Sequence, residues 1–225
     1  MRTKALLCAA GFLAAAAATS MAQSNVYSLN VVGYINVPWT NGFQMVANQL
    51  HSDSTGTNNT VGGVFSTNLP NLSRVYGFDP VSGYGTATFS SGTGNWVGGQ
   101  PTVNRALSAG GGVWLQIPGT TGNSGNVTEV GEVHQGTTAL AVVNGFQIMS
   151  LVPPLQTTIK TAMGYPAANL DRVYQYANPA GFTTHTYASG TGNWTAGEPT
   201  PKVGESFWVQ RAGAATTWTQ TYNVP

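Results

Sequence analysis

Three histidines, seven carboxylate side chains and one cysteine are a sparse supply for acid–base, nucleophilic or metal chemistry. His51, His134 and His185 stand far apart in sequence, and none has a metal-ligating partner at close spacing. Glycoside hydrolysis asks for two carboxylates flanking one bond. Glu129 and Glu132 are three residues apart, which on a strand sends them to opposite faces. Gly204-Glu205-Ser206-Phe207-Trp208 fails as a nucleophile elbow, because the closing glycine is missing. Ser91-Gly92-Thr93-Gly94-Asn95-Trp96, repeated at 189–194, has the glycines of a phosphate loop but neither its lysine nor its helix. It reads as a tight turn that the tryptophan closes. Asp53 lies among oxygen-bearing side chains from Ser52 to Thr60, but one carboxylate is a thin calcium site. The sequence therefore assigns no catalytic residue, no metal ligand and no cofactor.

The sharper lead is aromatic. Val113, Leu115 and Ile117 fall on one face of a strand, and Trp114 and Gln116 fall on the other. Phe207 and Val209 likewise oppose Trp208 and Gln210. A tryptophan beside a glutamine offers an apolar plane with a hydrogen-bonding neighbour, which suits stacking against a sugar. The competing expectation is that a second sheet covers these strips. Trp114, Gln116, Trp208 and Gln210 are the candidate ligand-binding residues.

The elements that must position them occur twice. Residues 74–102 and 172–200 align without a gap and agree at 15 of 29 positions. Upstream, NGFQMVANQL at 41–50 recurs as NGFQIMSLVP at 144–153; downstream, GGVWLQ at 111–116 recurs as ESFWVQ at 205–210. Such self-similarity fixes an architecture before any single element is read. The residues kept in both copies are mainly Gly, Trp, Tyr, Phe, Val and Asn, with one arginine (Arg74 and Arg172). Glu198 faces Gln100, and His185 faces Ala87, so neither is required by both copies.

Glycine and proline punctuate the chain at strand-like intervals. Strands are predicted at Val26–Val37, Phe43–Leu50, Arg74–Phe78, Thr86–Ser90 and Val113–Ile117, then at Phe146–Val152, Arg172–Tyr176, Thr184–Ala188 and Phe207–Gln210. Helix is expected only in short pieces. Thr157–Met163 is the best candidate, and Thr60–Ser66, with Gly62-Gly63, is weaker. Trp96 and Trp194 are expected to be core anchors. The segment around Gly119–Gly136 is a linker or shared strand. The expected fold is all-β: two tandem homologous β-sandwich or partly open barrel units, at 23–130 and 131–225, following a segment 1–22.

That first segment is an address. Arg2 and Lys4, the apolar run Ala5–Ala18 and the small-residue site Ser20-Met21-Ala22 form a secretory signal peptide pattern. The run is too short to span a bilayer, so cleavage after Ala22 and no later membrane span are expected. The mature chain then has no cysteine and must rely on its cores. Six basic and seven acidic residues remain, 6 − 7 = −1. Charged residues are only 7 % of the chain, with no basic cluster, which argues against nucleic acid as a partner. Low charge leaves self-association open.

The pattern VYSLNVVGY, then GFQ-(M/I), RVY, GTGNW and GESFWV, resembles secreted two-repeat β proteins of Verrucomicrobia-type bacteria. It is similar, more loosely, to repeats on bacterial surface proteins. The resemblance implies an extracellular β module and no reaction. The first copy departs from it, reading Gly110-Gly111-Gly112-Val113-Trp114-Leu115, so Glu205 has no equivalent there. The functional expectation is a secreted or cell-surface structural or adhesive protein acting on itself or envelope components. The alternative is a carbohydrate-binding module for a polysaccharide, with a glycoside-active enzyme a distant third.

Overall fold

The structure, a computed structural model, describes residues 31–51, 59–65, 69–119 and 122–224. The signal segment, residues 26–30 of the first expected strand and the Asp53 loop lie outside the described residues. Within them the protein is mostly strand, in antiparallel sheets, with no closed barrel.

The first half of the chain contains β1 (Val32–Thr40), β2 (Gly42–Val46), β3 (Leu50–His51), β4 (Arg74–Asp79), β5 (Gly83–Ser90), β6 (Asn95–Gly98), β7 (Val113–Ile117) and β8 (Ser124–Val133). Two short helices, α1 (Val61–Val64) and α2 (Gln100–Ala106), interrupt them. The second half contains β9 (Gly136–Val142), β10 (Gly145–Ser150), β11 (Arg172–Ala177), β12 (Gly181–Ala188), β13 (Asn193–Trp194), β14 (Ser206–Arg211) and β15 (Thr216–Tyr222).

Two five-stranded sheets result, with orders β2-β7-β4-β5-β6 and β10-β14-β11-β12-β13. These orders correspond strand for strand. Over the first sheet lies the β1-β8-β3 layer, and over the second the β15-β9 pair. Alternation explains each layer, because one face of every strand enters a core. Ile35, Val37 and Trp39 from β1 meet Val75, Ala87, Phe89, Leu115 and Ile117 in one cluster. Val142 and Trp218 meet Val173, Tyr187, Phe207 and Val209 in the other. Trp96 and Trp194 are buried, one in each core, as expected of turn-closing anchors. The turns before them use left-handed glycine at Gly94 and Gly192.

The halves also touch in a matched way. Ala47 N–H donates to Gly204 O at 2.9 Å, and the corresponding Ser150 N–H donates to Gly110 O at 2.8 Å. These bonds draw the chain out of β2 after Val46, so that strand is shorter than the expected Phe43–Leu50. Leu50 and His51 instead pair with β8.

The helix expectations are corrected. Thr157–Met163 forms turns, not a helix. There Glu198 accepts from the amides of Lys160 and Thr161, at 2.6 and 2.7 Å, and fixes a tight turn. The weaker candidate is helical over Val61–Val64, because the Thr60 hydroxyl caps Gly63 N–H and supplies the missing partner. Helix α2 was not expected at all. Pro101 stands in its first turn, where its missing N–H costs nothing.

Candidate functional site: an aromatic cleft between two sheets

Each five-stranded sheet sets apolar side chains on both of its faces. The inner face meets the core, and the outer face carries rings. In the first sheet Phe43, Tyr76, Phe78, Tyr84 and Trp114 share this outer face. Register places them there: Phe43 pairs with Gln116, Tyr76 with Trp114, and Phe78 with Tyr84. In the second sheet Phe146, Tyr174, Tyr176, Phe182 and Trp208 hold the corresponding positions, through the same pairings.

The two outer faces meet. Trp208 lies 4.9 Å from Phe78 and 6.4 Å from Tyr84, ring centroid to centroid. Trp114 lies 4.9 Å from Tyr176 and 5.8 Å from Phe182. Within each sheet the geometry matches too. Phe43–Trp114 is 6.0 Å and Phe146–Trp208 is 6.1 Å, both near perpendicular. Edge-to-face contacts suit the ring quadrupoles, each contributing about 0.5–1.5 kcal/mol beyond buried area.

The rings surround an open cleft of about 1160 Å³. Ten aromatic residues and two threonines, Thr86 and Thr184, line it, and among the described residues no charged side chain does. Four rings keep open area at its edges: Phe43 at 39 %, Tyr84 at 58 %, Phe146 at 47 % and Phe182 at 52 % exposure. Beside the rings, Tyr76 Oη donates to Gln116 Oε1 at 2.6 Å and Tyr174 Oη to Gln210 Oε1 at 2.7 Å. Burial pushes the Tyr84 hydroxyl's pKa up, so it stays a neutral donor.

Of the four sequence candidates, Trp114 and Trp208 line the cleft, while Gln116 and Gln210 do not and instead each accept a hydrogen bond from a lining tyrosine. Trp114 and Trp208 are half-buried by rings of the opposite sheet. Gln116 and Gln210 are held by tyrosines next to them. The other eight rings escaped the sequence reading as site residues. Their signal was present: Tyr76 and Phe78 recur as Tyr174 and Tyr176, at the alternating positions that register then places beside the tryptophans. Arg74 and Arg172 share this outer face, pair in register with Gln116 and Gln210, and are exposed.

The acids hold structure elsewhere. Glu198 closes the turn described above. Glu205 accepts from Gln175 Nε2 and Lys202 N–H. Asp171, fully buried, pairs with Arg211 at 2.8 Å and accepts from the amides of Ala168 and Ala212. Asp79 is held well below the usual carboxylate range by Ser82 N–H, then by Arg105 and the Ser82 hydroxyl. Glu129 is buried in β8, and desolvation pushes it up to about 7 against one hydrogen bond from Gln49 N–H. Among the described residues no two carboxylates flank the cleft.

The histidines are only partly as sequence suggested. His51 and His134, distant in the chain, lie against each other with ring centroids 3.3 Å apart and planes tilted by 46°, because β3 pairs with β8. Burial, then the neighbouring His51, lowers His134 to about 4. No cluster of three or more His, Cys, Asp or Glu able to hold a metal occurs among the described residues. No helix among them is long and apolar enough to cross a membrane. No family model, curated protein or solved structure matches this chain.

Proposed function

We propose that this protein is an exported, non-catalytic binding module that holds a neutral polysaccharide in the cleft between its two sheets. One observation carries the reading: ten rings, drawn equally from corresponding positions of both halves, line a single uncharged cleft. A pyranose ring presents apolar C–H faces and a rim of hydroxyls. Aromatic planes receive the faces, while tyrosine and threonine hydroxyls receive the sugar hydroxyls. The cleft exceeds the roughly 300–1,000 Å³ of sites for single small molecules, which fits a chain segment. On this reading the duplicated half is the functional invention, since neither half alone closes the cleft. Export follows from the Arg2/Lys4 start and the site before Gln23, and N-terminal sequencing of secreted material should begin near Gln23.

The test is a neutral-glycan array followed by calorimetry on the mature protein. Trp114→Ala and Trp208→Ala should each abolish binding while leaving the unfolding transition cooperative. Turnover of a glycoside that Glu198→Gln or Glu205→Gln removed would overturn the non-catalytic part. A second reading, assembly with itself or an envelope protein, draws on β1. Among the described residues this nine-residue strand pairs only with β8, and Val32 and Tyr34 lie exposed on it beside Val130. An open edge of that length accepts another strand. Concentration-dependent size exclusion with no glycan binding would favour it.

A further inference from the structure

The two halves differ most where α2 lies. In the first half α2 packs on β4 and β5, and the residues beneath it are small: Gly77, Gly85 and Ala87. A Cβ on Gly77 would meet Val103 Cα at 2.8 Å and Thr102 O at 2.9 Å, and one on Gly85 would meet Gly99 O at 2.9 Å. The second half has no helix there. Its Glu198-Pro199-Thr200-Pro201 carries a second proline, which forbids the turn. From Gln100 to Trp114 there are 14 steps, and from Glu198 to Trp208 only 10, so four residues are absent.

The three small residues correspond to Gln175, Thr183 and His185 in the second half. There they line a separate cavity of about 520 Å³, walled on its other side by β1 and β2. Gln44, Lys202 and Glu205 also line it. His185 is 6 % exposed. Its Nδ1 lies 2.8 Å from Gly197 O, an acceptor only, so in the neutral ring Nδ1 carries the proton and Nε2 presents a lone pair. That Nε2 is buried and has no partner among the described residues, and neither has the Gln44 Nε2 donor. Buried polar atoms left unpaired are costly and call for a partner.

We propose that this cavity is a second binding site, for a small neutral polyol such as one free pyranose. A hydroxyl is the group that both donates, to His185 Nε2, and accepts, from Gln44 Nε2. The charges at the site oppose each other, Lys202 against Glu205, and the Glu205 carboxylate is already held by Gln175 and the backbone. An ionic ligand therefore has no unmatched charge to meet. The site stands without the cleft reading: it shares Tyr176 with the cleft but uses none of Trp114, Trp208, Phe78 or Phe146.

The probes are glucose, galactose, mannose, N-acetylglucosamine and glycerol, each added to the mature protein labelled with ¹⁵N at histidine. At least one should shift the His185 Nε2 resonance saturably. His185→Phe, which fills the cavity with an apolar ring, should weaken that ligand at least about tenfold, the loss of one buried hydrogen bond and the space for it. Trp208→Ala, whose ring packs on Phe78, Tyr84 and Phe146 and not on the shared Tyr176, should leave it unchanged, so failure here and failure of the cleft reading are separable. If His185→Phe does not fold, the wild-type titration decides alone. No saturable shift with any probe would overturn the proposal, leaving water as the partner. Binding that His185→Phe preserves, or that Trp208→Ala abolishes, would also overturn it.

Discussion

Trp208 stands edge-on to Phe78 across the gap between the sheets, at 4.9 Å and with the ring planes 65° apart. One ring belongs to β14 and the other to β4, and 130 positions separate them in sequence (208 − 78). The corresponding contact, Tyr176 to Trp114, is also 4.9 Å. Each tryptophan is therefore shielded by the other half, and the cleft walls depend on both sheets.

That dependence is measurable. Trp208→Ala and Phe78→Ala should each destabilise the protein, and the double variant should lose less than the sum. The coupling expected of an edge-to-face pair is about 0.5–1.5 kcal/mol. Urea unfolding of the four proteins closes the cycle. Strict additivity would mean that the rings do not touch in solution.

The Asp171–Arg211 pair allows a similar test with a built-in control. Positions 73 and 117 correspond to them in the first half and hold Ser73 and Ile117, both buried. Asp171→Ser alone strands a guanidinium that is 8 % exposed, and should cost about 3–5 kcal/mol. Adding Arg211→Ile removes the stranded charge and should recover part of that loss. If the double variant is no more stable than Asp171→Ser, the pair is not what holds that corner.

Gly77 separates the halves at the helix. Gly77→Gln, which installs the second half's residue, should displace α2, whose Val103 backbone lies 2.8 Å from the new Cβ. The expected cost is about 1–3 kcal/mol or more, as for other overpacked sites. The reverse change, Gln175→Gly, borders a cavity and should cost less than half as much by urea unfolding. Equal costs would show that α2 is not seated on Gly77.

These elements were unequally legible. The strands, the turn tryptophans and the Trp–Gln strips follow from alternation, which is local, so an all-β fold was readable. Which sheet faces which was not, because contacts such as Trp208–Phe78 join residues with no local pattern between them. Helix α2 was missed because Gln-Pro-Thr-Val-Asn-Arg-Ala has weak helix formers, and packing on Gly77 and Gly85 supplies what propensity lacks. Thr157–Met163 had the opposite fault: its residues permit a helix, but the Glu198 carboxylate captures the Lys160 and Thr161 amides, which a helix would bond back to the carbonyls four residues earlier. The His51–His134 contact arises from β3–β8 pairing, and that pairing leaves no trace in spacing.

The last prediction concerns protons. Glu129, ordinarily near 4.5, sits at about 7 in the folded protein; His134, ordinarily near 6.5, sits at about 4. A raised carboxyl favours the fold below 4.5 and loses that advantage as pH climbs to about 7, because the unfolded chain releases its proton first. A lowered imidazole favours the fold above 6.5 and loses that advantage as pH drops to about 4. Between pH 4.5 and 6.5 folding thus binds one proton at Glu129 and releases one at His134, and the two slopes oppose. The wild type should show little pH dependence of stability from these groups there. Glu129→Gln keeps an acceptor for Gln49 N–H while removing the buried charge. It should raise stability at pH 8, by at most about 3 kcal/mol, and expose the histidine slope, with stability falling toward pH 4. His134→Phe should do the reverse, with stability falling as pH rises from 4.5 to 7. Urea midpoints at half-unit pH steps for the three proteins would read both slopes. Parallel curves for wild type and both variants would show that neither group is perturbed by folding.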